Sequence, residues 1–499
     1  MGGGSTHLSR QLRATIATVG GTMNAYTPWT MLVDAGMIGL LLAIGVFLRA
    51  RVKWLQNMLV PASVIAGALG LVLGPNVLGA IAKNRGWHIG SWQVTGIPFS
   101  EHMGTYASIL IVIVFACMAL TDDFDIRKVN KAVGGFASYG VLMYGAQVAL
   151  GMAFALLFLT PVLGSPDVLG IMLFTGWAGG FGTAAAVGNI YAENGQPEVA
   201  SLAFTSATVG LLVGVIGGII LAKFGARRGQ AKAFRGMDSL PDELRTGVLD
   251  ANKRRPALGY HTFSGGSIET LSFEVGIVSL VAVVGYGIGQ LLKHLFPGIS
   301  FPLFAIAFLV GIVVRIVMNG VGASHLLDAG TLRSVSGLCT DILIVCGIAS
   351  IQPEFVSDHI LALGLLFLFG LILCTVLGLV VAPRLMGEGW FERQLFTWGW
   401  ATGSVSTGLA LLRIVDPKLE SGTIEQFGYA YLPVVPVEIS AVSFVPVMAL
   451  AGMGWAVVGV WGAIAVLGLL GGWWVVRSGH ANTHGAPGPV GTLGTGFTG

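Results

Sequence analysis

Charge is scarce in this sequence. Asp, Glu, Lys and Arg together make up 10% of its 499 residues, against about 25% in soluble globular domains. The net charge is only +3, and mean hydropathy is +0.81. This composition excludes an ordinary soluble domain, and we predict no nucleic-acid partner.

Reactive and metal-binding patterns are also missing. No Gly-Lys-Ser/Thr follows the glycine-rich stretches, so a nucleotide-binding P-loop is excluded. His residues lack metal-ligand spacing, and no nucleophile stands with a base. We therefore predict no enzyme, no catalytic residue and no cofactor. Only four cysteines occur, all in apolar runs, and these are expected to be buried free thiols: Cys117, Cys339, Cys346 and Cys374.

Long uncharged apolar runs dominate the chain. A run such as "LALGLLFLFGLILCTVLGLVVA" (361–382) is long enough to cross a bilayer as a helix. These runs lack the alternation of a barrel strand, so we predict an all-α polytopic membrane protein. Eleven crossings are expected: 31–48, 57–80, 105–121, 134–160, 200–222, 272–294, 302–320, 334–350, 360–382, 428–451 and 454–476.

Basic residues predict the orientation. With the N-terminus outside, 22 of the 27 Lys and Arg residues fall in cytoplasmic loops, as the positive-inside rule requires. The C-terminus is then cytoplasmic. We expect the protein to lie in the inner (cell) membrane. Residues 1–30 are expected to be a flexible leader and 477–499 a disordered tail.

Two apolar stretches are too rich in glycine for simple spans. "GWAGGFGTAAAVG" (176–188) returns as "GWATGSVSTGLAL" (399–411). Since irregular backbone is tolerated at membrane depth only inside protein or beside a cavity, we predict two re-entrant hairpins, 168–191 and 394–414. We expect them to be the halves of one binding site.

The two sides of the hydrophilic linker 223–271 match each other. "LVPASVIAGALGLVLG" (59–74) aligns with "SFPLFAIAFLVGIVVR" (300–315). Five spans precede the linker, so the second half starts on the opposite side of the membrane. The prediction is two inverted-topology repeats, 31–222 and 272–451, each with one hairpin, plus an additional span at 454–476. Inverted repeats with discontinuous helices are typical of secondary transporters.

The hairpins supply most of the candidate substrate ligands. Helix N-termini inside a hairpin suit carboxylates. Arg413 is a bidentate partner for an anionic substrate or an ordinary inner-loop charge with Asp416, and Asn189 either binds substrate or packs. The predicted substrate-binding residues are Gly179, Gly180, Gly182, Thr183, Asn189, Thr402, Gly403, Ser404 and Arg413.

Oxygen ligands suit a Na+ ion, which is hard. Ser406 and Thr407 supply hydroxyl groups in the second hairpin. Asp341 and Glu438 are ionisable residues within spans, where such residues are costly and usually functional; each is a cation or ammonium partner, or part of a structural pair. The predicted Na+-binding residues are Ser406, Thr407, Asp341 and Glu438.

Several stretches resemble the bacterial sodium/glutamate symporters. "GGFGTAAA" (179–186) is similar to that family's Gly-Gly-His-Gly-Thr-Gly-Ala-Ala loop. "PEVASLAFTSATVGLLVGVIGGIILAKF" (197–224), "FPLFAIAFLVGIVV" (301–314) and "LPVVPVEISAV" (432–442) resemble its spans. The resemblance implies ten core spans with two re-entrant loops, Na+-coupled glutamate uptake, a homodimer and an elevator-type motion. This chain departs from the pattern at Phe181, where the family loop has histidine, and in its extra span.

The leading hypothesis is a Na+-coupled symporter of glutamate or a similar anionic amino acid. The alternative is a Na+-coupled transporter of another carboxylate, such as a dicarboxylate or hydroxy acid. A carboxylate facing the cavity would favour an amino acid, because the α-ammonium group needs a negative partner. A channel is disfavoured because no charged ring or carbonyl-filter repeat is present.

Overall fold

A computed structural model describes most of the chain: residues 27–89, 92–93, 96–97, 99, 103–121, 131–230, 242–250, 255, 257–296, 301–387, 389–416 and 421–483. Most of the predicted leader and the end of the predicted tail lie outside these residues. All predicted site residues lie within them.

The described part is almost entirely helical. Two strands of two residues each, β1 (His88–Ile89) and β2 (Trp92–Gln93), pair antiparallel in a loop. The helices labelled here are α1 Pro28–Arg51, α2 Ala62–Leu73, α3 Met103–Thr121, α4 Lys131–Phe154, α5 Met172–Gly176, α6 Gly180–Glu193, α7 Val199–Arg227, α8 Thr270–Leu295, α9 Leu303–Gly320, α10 Ala329–Ala349, α11 Ile360–Val376, α12 Trp390–Thr402, α13 Val405–Val415, α14 Thr423–Ala430, α15 Val434–Leu450 and α16 Gly454–Thr483.

Shorter helices connect or extend these. α2, α4 and α11 each continue through a π-turn into a further short helix, and a 3₁₀ turn precedes α5. The π-turns are Pro75–Gly79, Ala155–Leu159 and Leu377–Val381; the 3₁₀ turns are Asp167–Ile171 and Ser324–Leu326; the short α-helices are Lys53–Asn57, Ala80–Asn84, Thr160–Leu163, Asp242–Thr246, Pro353–Asp358 and Ala382–Met386.

Ten of the described helices are long and apolar enough to cross a membrane. α1 shows how the sequence sets their ends. Thr27 caps its first turn by accepting the backbone N–H of Thr30, Pro28 occupies the first position, and Arg49 and Arg51 lie in the last turn. Each of these residues is favourable at that end of a helix. The prediction of an all-α polytopic membrane protein is confirmed.

The predicted crossing at 428–451 differs from the others. The structure divides it into α14 and α15, joined by a turn at Tyr431–Pro433. Pro433 caps α15 and Pro436 lies in its first turn; since proline lacks the N–H that would continue α14, the helix cannot run through. α15 is therefore 17 residues long and shorter than the ten spans.

Pairs of helices pack in a matching order on the two sides of the linker. α1 packs against α2, and α8 packs against α9. α3 packs on α9 while α10 packs on α2, and α3 and α10 pack against each other. These six helices form one group, which we call the frame.

The buried faces of α1 and α8 repeat. The five buried residues of α1 are Thr30, Asp34, Ile38, Leu41 and Gly45. Those of α8 are Thr270, Glu274, Val278, Val281 and Gly285, each 240 residues later and of the same chemical type. Gly45 lies against α2 at Ala62 and Ala66, and Gly285 lies against α9 at Ala307. This correspondence supports the predicted repeat, whose inverted topology stays a prediction.

The ends of α4 and α11 repeat as well. Each passes through a π-turn, then a proline at the second position of a short helix, then a glycine with positive φ. The prolines are Pro161 and Pro383, and the glycines are Gly164 and Gly387, with φ of 65° and 64°. A positive φ is costly for other residues. At both places, the π-turn, proline and glycine end a span just before one of the glycine-rich stretches.

The remaining helices surround α4 and α7 and carry the glycine-rich stretches. α16, the predicted additional span, packs along α4 through small residues. A β-carbon at Gly468 would lie 2.9 Å from the backbone nitrogen of Leu142, and one at Gly145 would lie 3.1 Å from that of Ala465. Such close approach through glycine is typical of helix packing in membranes. All four cysteines are buried and free, as predicted.

Candidate functional site

The first glycine-rich stretch is a helix break. α5 ends at Gly176, α6 begins at Gly180, and the Gly179 N–H donates to the carbonyl of Phe174 at 2.9 Å. Gly180 has φ of +63°, which only glycine adopts without strain. The N-cap residue of α6 is Gly179, which has no side chain to cap the helix. The first amides of this 14-residue helix are therefore available to a negative group.

The second stretch breaks in the same way. α12 ends at Thr402, α13 begins at Val405, and the Ser404 N–H donates to the Gly399 carbonyl at 2.9 Å. Ser404 caps α13: its hydroxyl accepts the Thr407 N–H at 3.2 Å and lies 3.0 Å from the Thr407 hydroxyl. At both breaks, a backbone N–H thus donates to the carbonyl five residues earlier in the chain, and a new helix begins just after it.

The two breaks meet. A β-carbon at Gly180 would lie 2.7 Å from the carbonyl oxygen of Gly403. Residues that are 223 positions apart in the chain are therefore in backbone contact. The two glycine-rich stretches therefore meet, and that they are the halves of one binding site stays a prediction.

Glycines on α7 allow the breaks to approach. A β-carbon at Gly210 would lie 2.6 Å from the Thr402 carbonyl oxygen and 2.8 Å from the Trp177 ring. One at Gly214 would lie 2.7 Å from the Thr402 hydroxyl. Trp398 donates its ring N–H to the Gly214 carbonyl at 3.0 Å. α7 is thus the surface on which both breaks rest.

α4 contributes polar side chains that sequence reasoning missed. Gln147 is fully buried and donates to the Ala401 carbonyl at 2.7 Å, one residue before the end of α12. Tyr144 is fully buried and its hydroxyl lies beside Thr183 in the first turn of α6. Both stand in an apolar run of the sequence, and an amide and a phenol in such a run were the signal that could have found them. The Gly210–Gly214 spacing on α7 was another.

Glu438 reaches the same region from α15. It accepts a hydrogen bond from the Tyr431 hydroxyl at 2.5 Å. It is close enough to Tyr144 to interact with it electrostatically. Tyr144 is therefore the common neighbour of Thr183 in α6 and Glu438 in α15, and we call these three residues the Glu438 cluster. That Glu438 binds a cation or an ammonium group stays a prediction.

A cavity of about 660 Å³ lies at the start of α7, the end far from the linker. Asn189 and Ala185 of α6 line it, with Ser108 of α3 and Gln352 after α10. Ala185 is three residues beyond Gly182, about 5 Å along the helix. A β-carbon at Gly182 would lie 3.3 Å from the Ile111 side chain. The cavity therefore approaches the first break to within about one helical turn, with Ile111 beside that turn.

Two predicted residues lie away from the breaks. Arg413 is nine residues beyond Ser404, about 13 Å along α13, and its side chain is half-buried. Asp341 lies near the middle of α10 with an exposed side chain. The other predicted residues lie at the breaks, in the Glu438 cluster or in the cavity. Among the described residues, no group of three His, Cys, Asp or Glu side chains could hold a metal ion.

These features define a class of protein. Ten long apolar helices, with two broken helices meeting in the interior, are the architecture of a secondary transporter of the broken-helix kind. Comparison with known proteins identifies the family: the sodium/glutamate symporters match residues 30–403, well over half of the chain. The chain belongs to the sodium/glutamate symporter family.

The match includes the first break and α12, and it ends at Gly403, within the second break. A search of curated proteins found no match. Membership in a transporter family, with Na+ as the coupling ion, agrees with the prediction that the chain is not an enzyme. It supports Na+-coupled glutamate transport across a membrane.

Proposed function

We propose that this protein carries glutamate, or a similar anionic amino acid, across the inner cell membrane together with Na+ by alternating access. The contact of Gly180 with Gly403 carries the proposal. It brings the N-termini of α6 and α13 to one place in the interior. Both helices are longer than ten residues, and such ends favour carboxylates.

The substrate carboxylates bind at these two helix ends. Gly179, Gly180, Gly182 and Thr183 form the first turn of α6. Thr402, Gly403 and Ser404 form the second break. Glutamate has two carboxylates, and two converging helix N-termini match that number. Asn189 and Arg413 bind the substrate on its way in and out: Asn189 lines the cavity, and Arg413 lies toward the far end of α13.

The Na+ ligands are hydroxyl and carboxylate oxygens. Ser406 and Thr407 lie in the first turn of α13, next to the cap at Ser404. Glu438 lies beside the first break, and Asp341 is exposed in the middle of α10. Oxygen ligands are those that hard cations prefer. Na+ bound beside the substrate at Ser406, Thr407 and Glu438 raises the substrate's affinity by linkage, and Asp341, away from the breaks, binds Na+ on its way to them.

Glu438 also bears on the choice between an amino acid and another carboxylate. Its carboxylate lies with Tyr144 and Thr183 beside the α6 N-terminus, so an ammonium group bound there has a negative partner. A dicarboxylate without an amine has no use for this group and is repelled by it. We therefore favour an amino acid, and a dicarboxylate or hydroxy acid remains the second candidate.

Several finer features belong to this proposal. The frame and the helices around the breaks act as two bodies that shift past each other in an elevator-type motion, with each repeat inverted relative to the other. The N-terminus lies outside and the C-terminus lies in the cytoplasm. The functional unit is a homodimer, as the family resemblance implies.

Uptake of labelled L-glutamate into proteoliposomes tests the proposal. An inward Na+ gradient should drive saturable accumulation, and K+ or choline in its place should not. Unlabelled aspartate should compete, whereas a dicarboxylate lacking an amine should not. In Glu438→Gln, the preference for amino acid over dicarboxylate should shrink at least tenfold, the size of one charge-assisted hydrogen bond. Accumulation without Na+ would overturn the coupling, and an unchanged preference would overturn the role of Glu438.

A further inference from the structure

The end of the linker crosses the beginning of α10. Residues 258–262, which we call the strap, bind this helix mainly through their backbone. The Tyr260 N–H donates to the Asp328 carboxylate at 3.0 Å, and the Thr331 N–H donates to the same oxygen at 2.8 Å. A β-carbon at Gly259 would lie 2.0 Å from the Thr331 hydroxyl oxygen and 2.5 Å from the carboxylate. Only glycine therefore fits at this point of the strap.

Two further bonds hold the strap in place. The Ser334 hydroxyl lies 2.8 Å from the Leu258 carbonyl oxygen of the strap and 2.9 Å from the Gly330 carbonyl oxygen of its own helix, and its one proton serves either of them. Thr262 donates its hydroxyl to the Leu326 carbonyl at 3.0 Å. The Leu258 and Tyr260 side chains are 80% and 73% exposed, so the strap does not depend on burying them.

The strap also joins α10 to α8. The Thr262 N–H donates to the Thr270 hydroxyl at the start of α8 at 3.0 Å. Glu274, fully buried one turn later, accepts the N–H of Asp328, the residue that caps α10. The linker thus does more than connect the halves: it fastens the beginnings of two frame helices to each other.

α10 carries a stripe that begins under the strap. Ser334, Gly337, Leu338 and Asp341 are spaced so that they lie on one face of the helix. Gly337, Leu338 and Asp341 are exposed, and Ser334, bound by the strap, is half-buried. A carboxylate in the middle of a span is costly against lipid. This face is therefore expected to border water that reaches Asp341 from the linker side.

We propose that the strap is a lid at the linker-side mouth of the route along this stripe, and that its release opens the route to Asp341. The proposal rests on the proposed function, in which Asp341 binds Na+, and it makes the stripe the path by which Na+ reaches Asp341 from the linker side. It assigns the linker a regulatory role: whatever pulls residues 258–262 away from α10 changes access to the stripe.

Thiol labelling tests the lid without any substrate. Leu338→Cys places a thiol in the stripe, and the four native cysteines are all buried. A membrane-impermeant maleimide is applied to the full-length protein in vesicles of each orientation. Gly259→Val, which cannot keep the strap in place, should speed labelling from the linker side about tenfold. Ser334→Ala should speed it about threefold, as expected for losing one neutral hydrogen bond.

The matched control is Gly265→Val in the same linker. A β-carbon at Gly265 meets nothing within 4 Å, so this variant should label like the parent. If Gly259→Val fails to fold, Ser334→Ala decides, because it removes only a hydroxyl. Unchanged labelling in folded variants, equal acceleration in Gly265→Val, or no labelling of the parent and the variants would overturn the lid. Since no glutamate is present, failure of the transport proposal does not produce any of these outcomes.

Discussion

The two helix breaks share a sequence pattern and a backbone design, but they differ in surroundings. At the first break, Gly180, Phe181 and Thr183 are buried. At the second, the Val405 side chain is 44% exposed and Ser406 is also exposed. The first break is thus enclosed by the helices around α4 and α7, whereas the second exposes Val405 and Ser406. Under the proposed function, this difference gives the two breaks different tasks: the buried break defines the pocket, and ligands exchange through the exposed one.

The two breaks also differ in helix capping and in the number of hydroxyl side chains. The first break has an uncapped helix N-terminus and a single hydroxyl residue, Thr183. The second has Ser404 as a cap and further hydroxyl groups at Ser406 and Thr407. An uncapped end suits a substrate carboxylate, whereas hydroxyl oxygens suit a cation. We therefore expect substitutions at the first break to affect substrate affinity most and those at Ser406 and Thr407 of the second break to affect Na+ affinity most.

The largest effect on transport is expected from a substitution that prevents the contact between the two breaks. Gly180→Val adds a side chain 2.7 Å from the Gly403 carbonyl oxygen and strains a backbone with φ of +63°. Misplacing a binding group by about 1 Å costs about 100-fold in rate, so glutamate uptake should fall by at least that factor. Gly195→Val is the control, because Gly195 also has a positive φ, +81°, but a β-carbon there would meet nothing within 4 Å. Equal loss in both variants would mean that the contact has no special role.

A second prediction separates Na+ from substrate. Thr407→Val keeps the shape of the side chain and removes the hydroxyl that lies 3.0 Å from the Ser404 hydroxyl. The Na+ concentration for half-maximal uptake should rise about tenfold, as expected for losing an oxygen that binds a charge. Thr375→Val is the control, since the Thr375 hydroxyl only donates to the Leu371 carbonyl in its own helix. A change in glutamate affinity at saturating Na+, with no change for Na+, would reverse our assignment of the second break.

The difference in exposure can be measured directly. A thiol introduced as Ser406→Cys should react with a small water-soluble maleimide at least tenfold faster than one introduced as Thr183→Cys, which is 2% exposed. Na+ and glutamate together should slow the reaction of the Ser406→Cys thiol with the maleimide. Equal reaction rates would show that the two breaks are equally accessible in the membrane.

The smallest effect concerns the strap and pH. Burial of the Asp328 carboxyl opposes its ionisation, but hydrogen bonds from the backbone N–H groups of Thr331, Tyr260 and Gly330 and from the Thr331 hydroxyl outweigh it and lower the pKa of Asp328. A lowered pKa stabilises the folded state at pH values above the unfolded pKa of about 3.9. That contribution disappears as the pH falls through the lower folded value.

Asp328→Ala should therefore lower the free energy of unfolding by about 1 kcal/mol at neutral pH, the usual cost of losing a helix cap. The difference from the parent should narrow below about pH 4. Thermal unfolding in detergent across this range provides the measurement. A constant difference at all pH values would contradict a role for the ionised carboxylate.

Much of the fold could be predicted from sequence because membrane-spanning runs are uniform and long. Hydropathy alone located ten of the spans, and glycine clusters located the breaks. The division of 428–451 into α14 and α15 was less visible, although Pro433 and Pro436 marked it. Length and apolarity favoured one span there, and the missing N–H groups of two prolines overrode them.

The site was harder to predict than the fold. The sequence indicated that each break could bind something, but the contact of Gly180 with Gly403 depends on how α7 packs. Gln147 and Tyr144 lie in an apolar run with no motif around them, so only their contacts reveal a role. The distance of Arg413 from the breaks follows from α13 running straight on from Ser404, which hydropathy does not report. The strap could not be predicted from sequence either, because it binds mainly through backbone atoms.

A double-mutant cycle shows whether the two breaks form one site. Na+-dependent binding of labelled glutamate is measured for the parent, Thr183→Val, Thr407→Val and the double variant. Residues that share one site should show a coupling free energy of at least about 0.5 kcal/mol. We predict such coupling, with the double variant differing from the sum of the single changes. Additivity within about 0.3 kcal/mol would mean that the breaks bind independently, and it would contradict the account.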